Sequence, residues 1–283
     1  MFKSQNKGKQ VQESSDVYTA SKIEELRTEI GPLSGRSLKY CTDGCLKGYL
    51  EANNWNVKKA KKMLGHTLEW RSTYKPEEIR WHEVAKEGER GIIYRASFHD
   101  RQGRTVLIFR TGIPIPKITS IESLIRFDVH LLENAVLNFE QGQHQMAWLI
   151  DFTGWSLTNM SIRLAREFLN ILQNHFPDRV AVAFLYNPPR AFETFLKIIK
   201  YLLDNKTLEK AKFVYPKEKE SVDLMKSYFD EENLPMEFGG KATMKYDHEE
   251  YSRLMTQDDL KSAAFWGADD GQSSHVGAGQ SSA

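Results

Sequence analysis

The chain has 283 residues, 40% of them hydrophobic, and 18 glycines. Together these make about 46% apolar residues, an ordinary globular share that argues against a fibrous or wholly disordered protein, and the length allows one large domain or two small ones. Lys and Arg number 39 against 38 Asp and Glu, a formal net charge of +1, so no global field recruits nucleic acid and any anionic partner must be met by a local patch.

Residues 1–15 are polar, with Lys3, Lys7 and Lys9 and no apolar core behind them, which argues against a secretory signal and predicts a disordered tail. Val17 to Ile30 reads as a helix stopped by Gly31-Pro32. Asp43 is placed to cap a second helix carrying Leu46, Tyr49 and Leu50, and Asn56 to cap a third. In the third, Val57, Ala60, Met63, Leu64, Thr67, Leu68 and Arg71 keep three-four spacing, while Lys58, Lys59, Lys61 and Lys62 fall mostly outside the stripe. Cys41 and Cys45 form no zinc quartet with neighbouring histidines, which points to a reducing compartment.

From Ile92 the period changes. Ile92–Phe98 and Thr105–Phe109 read as two strands joined at Asp100–Gly103. Helical patterns then alternate with apolar strands: Ile121–Phe139 helical, Met146–Ile150 extended, Ile162–Phe176 helical, Val180–Tyr186 extended, Arg190–Leu203 helical, Lys212–Tyr215 extended. Such alternation predicts an α/β fold with a mixed, mainly parallel sheet covered by helices. The longest apolar run, Val180–Tyr186, falls far below the roughly 20 residues that span a bilayer. Residues 271–283 are a small-residue run and predict a second disordered tail.

Enzyme signatures are incomplete. Gly239-Gly240-Lys241-Ala242 lacks the upstream glycine and the hydroxyl residue of a phosphate loop, and Gly154-Trp155-Ser156-Leu157-Thr158 lacks the second glycine of a nucleophile elbow. Asp151-Phe152-Thr153-Gly154 reads as a strand-end turn. The eight histidines show no paired ligand spacing. Asp128 lies on the apolar stripe Ile121, Leu124, Ile125, Leu131, Leu132, Ala135, where a carboxylate is paired, at the mouth of a cavity or at the stripe's edge; with no partner in view the edge reading leads.

Asn53-Asn54-Trp55-Asn56-Val57-Lys58-Lys59-Ala60-Lys61-Lys62-Met63-Leu64, followed by Glu69-Trp70-Arg71, resembles the helical N-terminal lobe of the CRAL-TRIO lipid-binding family. Met146–Asp151, His175-Phe176-Pro177-Asp178-Arg179, Leu185-Tyr186-Asn187-Pro188-Pro189, Leu203-Asp204-Asn205-Lys206-Thr207 and Leu234–Gly240 resemble that family's later motifs in the same order. The likeness covers about residues 40–240, and is to the phosphatidylinositol and phosphatidylcholine transfer branch, particularly its plant members.

With the ends read from composition as tails over 1–15 and 271–283, the resemblance implies a helical lobe over 16–75 and a lipid-binding lobe over 76–243, and 244–270 is expected to be a helical extension. The resemblance also implies a non-catalytic carrier with no cofactor beyond a bound phospholipid, a monomer peripherally and transiently at a membrane surface, while the charge balance and the cysteine and apolar patterns predict a cytoplasmic chain with no nucleic-acid partner. Arg190–Leu203 matches the family's mobile gate helix, with Phe192, Phe195, Leu196, Ile199, Leu202 and Leu203 as its apolar contacts. Asp178, Thr207 and Lys210 match the headgroup positions, and Arg179 is read as a structural ion-pair partner. Two departures stand out: aspartate replaces the family's usual glutamate at 178, and Gly48, Glu51 and Asn53 replace three basic positions. They leave open a second reading, a module that senses another hydrophobic ligand or docks a partner.

Overall fold

The computed structural model describes residues 2–116, 119–156, 161–192, 196–197, 200–201, 203 and 205–267. Four helices form the N-terminal lobe: α1 (Phe2–Ile30), α2 (Gly35–Tyr40), α3 (Asp43–Ala52) and α4 (Val57–Tyr74). α1 begins at Phe2, inside the segment expected to be a disordered tail. Lys, Gln and Glu are good helix formers, and propagation from a nucleated helix needs no apolar stripe. α1 ends at Gly31, whose φ of 81° suits glycine.

α3 is capped by Thr42, whose Oγ1 accepts from Cys45 N at 3.2 Å, rather than by Asp43. Asp43 starts the helix and pairs with Arg27. Asn56 caps α4 as expected, accepting from Lys59 N at 3.0 Å. Leu26, Cys41, Cys45, Leu46, Tyr49, Leu50, Val57, Ala60 and Leu64 close the lobe's core.

Five strands follow: β1 (Ile93–His99), β2 (Thr105–Arg110), β3 (Met146–Asp151), β4 (Val180–Tyr186) and β5 (Ala211–Val214). They lie in the order β1-β2-β3-β4-β5, antiparallel between β1 and β2 and parallel elsewhere. The hairpin turn is fixed by Asp100, whose Oδ1 accepts from the backbone N–H groups of Gln102 and Arg104.

Further α-helices are α5 (Trp81–Gly88), α6 (Ile121–Leu137), α7 (Ile162–His175), α8 (Asn205–Glu209), α9 (Lys219–Tyr228) and α10 (His248–Trp266). Strand alternation divides the sheet's side chains. One face carries Val106, Ile108, Ala147, Leu149, Val182 and Phe184, packed with Met225 and Phe229 from α9 and its C-cap and with Tyr251 and Met255 of α10. The other carries Leu107, Phe109, Trp148, Ile150 and Ala183, packed with Phe168 and Leu172 of α7.

α10 returns to the N-terminal lobe. Lys39 Nζ donates to the carbonyls of Phe265 and Trp266 at 2.8 and 3.1 Å, and Arg36 donates to Gly267 O at 3.0 Å. Arg71 bonds both oxygens of Glu133 and one of Glu77, with its guanidinium over the rings of Tyr40 and Trp266.

Candidate functional site

The site forms where the end of α7 turns into β4. Trp70 of α4 stacks on His175 with ring centroids 4.1 Å apart, and Thr67 Oγ1 donates to Asn174 O at 2.9 Å, so the helical lobe fixes the helix end. Asp178, in the turn that follows, has a φ of 57°, a left-handed conformation that aspartate tolerates better than most residues. Gln145, just before β3, holds it twice: Nε2 donates to Asp178 O at 3.0 Å and to Oδ2 at 2.8 Å. The other carboxylate oxygen accepts from Lys210 Nζ at 2.7 Å.

Lys210 sits between α8 and β5, and its carbonyl accepts from Ala183 N at 2.9 Å. Thr207 is half-buried on α8. Asp178, Thr207 and Lys210 line one cavity of about 180 Å³ together with Ala52, Met63 and Phe176. The structure thus brings the three residues of the sequence expectation to one place. Arg179 does not pair with Asp178. Its Nη1 donates to His144 O at 3.0 Å and its guanidinium lies over Phe139, while Asp178, in the left-handed turn before it, is held by Gln145 and Lys210.

The three departures from the family's basic pattern have physical places. A Cβ on Gly48 would stand 3.0 Å from Pro177 O, so glycine lets α3 come close to the turn. Asn53 Nδ2 donates to Tyr49 O at 2.9 Å at the end of α3. Glu51 points to the site: its carboxyl contacts that of Asp178, and Lys47 Nζ lies 3.7 Å away. Burial, and then the adjoining Asp178, push Glu51 up to about 7, against the opposing pull of Lys47 and Lys210. Burial, then Lys47 and Arg179, push His144 down. Donor atoms of Glu51, His144 and Asp178 lie within 4.8 Å of one another.

Of the expected gate contacts, Phe192 is buried against Phe152 and Trp155, with centroids 4.3 and 5.7 Å away. Leu196 and Leu203 pack on the same cluster, which includes Leu185. Phe195, Ile199 and Leu202 lie outside the described residues, as do residues 271–283. At the end of β3, Asp151 Oδ1 accepts from Thr153 N at 2.9 Å, the turn expected there.

Asp128 departs from the stripe-edge expectation. It is only 7% exposed, with Tyr74 of α4 near enough to feel its charge, and burial pushes its carboxyl up to about 8. Sequence reasoning also missed Gln145 and Lys206, whose Nζ donates to Glu51 O at 2.7 Å. Lys206 stands inside a motif of the resemblance, whereas Gln145 carries no sequence signal beyond preceding a strand.

Residues 89–240 match the family model described as CRAL/TRIO domain. The chain is 32% identical over 213 residues to CRAL-TRIO domain-containing protein C23B6.04c of Schizosaccharomyces pombe, covering 75% of this chain and 20% of that protein. It is 30% identical over 249 residues to Phosphatidylinositol transfer protein PDR17 of Saccharomyces cerevisiae, covering 83% of this chain and 68% of that protein. Among solved structures, the crystal structure of Sfh5 shares the fold at a TM-score of 0.60 and 17% identity, over 78% of this chain and 82% of that one. The chain therefore spans a fifth of one curated relative and about two thirds of another. No helix among the described residues is long and apolar enough to cross a membrane.

Proposed function

The chain belongs to the CRAL/TRIO family, and from that premise we propose that it binds a phospholipid, phosphatidylinositol or phosphatidylcholine, and exchanges it between membranes without chemical turnover. A two-chain lipid cannot cross water bare, since each CH₂ removed from apolar surroundings costs about 0.8 kcal/mol, and a carrier must replace the bilayer. The apolar cluster of Phe152, Trp155, Leu185 and Phe192 offers such surroundings on the sheet face that also carries Ile150.

The observation that carries the reading is the meeting of Asp178, Thr207 and Lys210 at one cavity. A carboxylate accepts from ring hydroxyls, a hydroxyl donates to a phosphate oxygen, and an ammonium neutralises phosphate charge. In this reading Lys210 exchanges its bond to Asp178 for the lipid phosphate, and Gln145 keeps the freed carboxylate in place. Residues 190–203 gate the cavity, and the carrier works as a monomer that meets the membrane only transiently.

Mass spectrometry of lipid extracted from the protein after incubation with mixed-lipid vesicles tests the proposal. Stoichiometric phosphatidylinositol or phosphatidylcholine is the expected result. A protein that neither retains lipid nor moves it between vesicles refutes it. Retention of a different hydrophobic compound favours the second reading, to which the placement of Glu51 against Asp178 lends weight.

A further inference from the structure

Two carboxyl groups converge where a phosphate-binding site would be expected to gather cations. Gly48 makes this possible: lacking a Cβ, it lets α3 approach the Pro177 carbonyl, and the helical repeat carries Glu51, three residues on, to the same face. The cations around the pair are already engaged. Lys210 bonds Asp178 Oδ1 at 2.7 Å, Lys206 bonds the Glu51 carbonyl at 2.7 Å, and Lys47 stands 3.7 Å from the Glu51 carboxyl. Arg179 is held by the His144 carbonyl, and His144 is pushed towards its neutral form.

We propose that Glu51 is a specificity-determining residue that restricts the site to an inositol headgroup with one phosphodiester charge and uncharged ring hydroxyls, and turns away headgroups bearing further phosphate monoesters. The inference rests on the phospholipid reading above and names its substrate class. A single phosphodiester can take Lys210 from Asp178, leaving the carboxyl groups to accept hydrogen bonds from hydroxyls. Each added monoester brings about 1.5 to 2 further negative charges. It would stand against Glu51 and Asp178, whose neighbouring ammonium groups are committed, in a half-buried site where like charges repel more strongly than in water.

The full chain is incubated with vesicles holding equal amounts of phosphatidylinositol and phosphatidylinositol monophosphate in phosphatidylcholine, and the lipid it extracts is quantified. Measurements at about pH 6 and about pH 8 bracket the Glu51 carboxyl, which titrates at about 7. The wild type is expected to load phosphatidylinositol over the monophosphate by about tenfold or more, about 1.4 kcal/mol, with the wider margin at the higher pH. Glu51→Gln narrows the margin to about threefold or less and weakens its pH dependence. Glu51→Lys reverses the preference, a change that no loss of folding produces. Equal loading by the wild type, or one ratio shared by all three proteins, overturns the inference and leaves the phospholipid reading standing. Loading of phosphatidylcholine alone overturns the inositol headgroup and this inference together.

Discussion

Glu51→Gln removes a charge from the site while keeping the side chain's size. In the folded protein the carboxyl titrates at about 7 against an ordinary 4.5. Below about pH 4.5 it is protonated in both the folded and the unfolded chain, so the substitution is close to neutral there. Between 4.5 and 7 only the folded state holds the proton, so this group's contribution to wild-type stability is lost as pH rises, and it levels off above about 7. At 1.36 kcal/mol per unit, the difference from 4.5 to about 7 sets a ceiling of about 3 kcal/mol. The Glu51 side chain is 29% exposed, and screening by water reduces the expected gain of the variant to about 1 to 2 kcal/mol at pH 8. Urea unfolding of both proteins, from about pH 4 to about pH 8.5, measures the gap directly. A gap that stays constant across that range, or a variant less stable than wild type at the alkaline end, refutes the placement of Glu51 against Asp178.

Lys210→Ala should lower phosphatidylinositol transfer about tenfold or more while leaving phosphatidylcholine transfer within about twofold, since it removes the ammonium paired with Asp178; equal loss of both activities in a vesicle assay would place Lys210 outside headgroup recognition. Phe192→Ala should cost about 3 to 5 kcal/mol in urea unfolding, because the ring is 5% exposed and packed against Phe152 and Trp155. A loss below about 1 kcal/mol would contradict that packing. Asp128→Asn should stabilise the protein by a few kcal/mol at alkaline pH. Burial raises the folded carboxyl from 3.8 to about 8, so the wild type loses stability across that interval and the variant does not. Thermal unfolding at about pH 4 and about pH 8.5 checks the sign.

The sheet was legible because its strands are short, apolar and bounded. Met146–Ile150 and Val180–Tyr186 have the continuous runs of strands buried on both faces, and they lie side by side as β3 and β4. α2, α5 and α9 were not legible. In α5, Trp81 and Val84 are too few to set a period, and its start is fixed by a bond from Trp81 N to Asp259 Oδ2, 178 residues away. Thr42 and Asp43 are adjacent and both able to cap, and the expectation fell on Asp43 where the backbone places Thr42 outside the helix.

At the site, Asp178, Thr207 and Lys210 came from the family likeness and not from their spacing. Glu51 was visible as a departure, but whether it faced the site depended on how closely α3 approaches Pro177. Lys206 and Gln145 act on main-chain carbonyls, whose positions no side-chain pattern encodes. Asp128 was misplaced because an apolar stripe shows which side of a helix is apolar and not how far its edge is covered.

The bonds from Arg36 and Lys39 to the end of α10 join residues 226 to 231 positions apart. Synthesis makes the helical lobe well before its carbonyl partners. Until His248–Trp266 has emerged, Arg36 and Lys39 lack these acceptors and the Arg71 guanidinium lacks one of its two aromatic walls. Closure entropy on that scale is met before any reward, so this seam belongs among the late steps of folding. The lobe that sets Glu51 against Asp178 is then finished only after α10 has been made, which ties the chemistry of the pocket to a helix far downstream in the sequence.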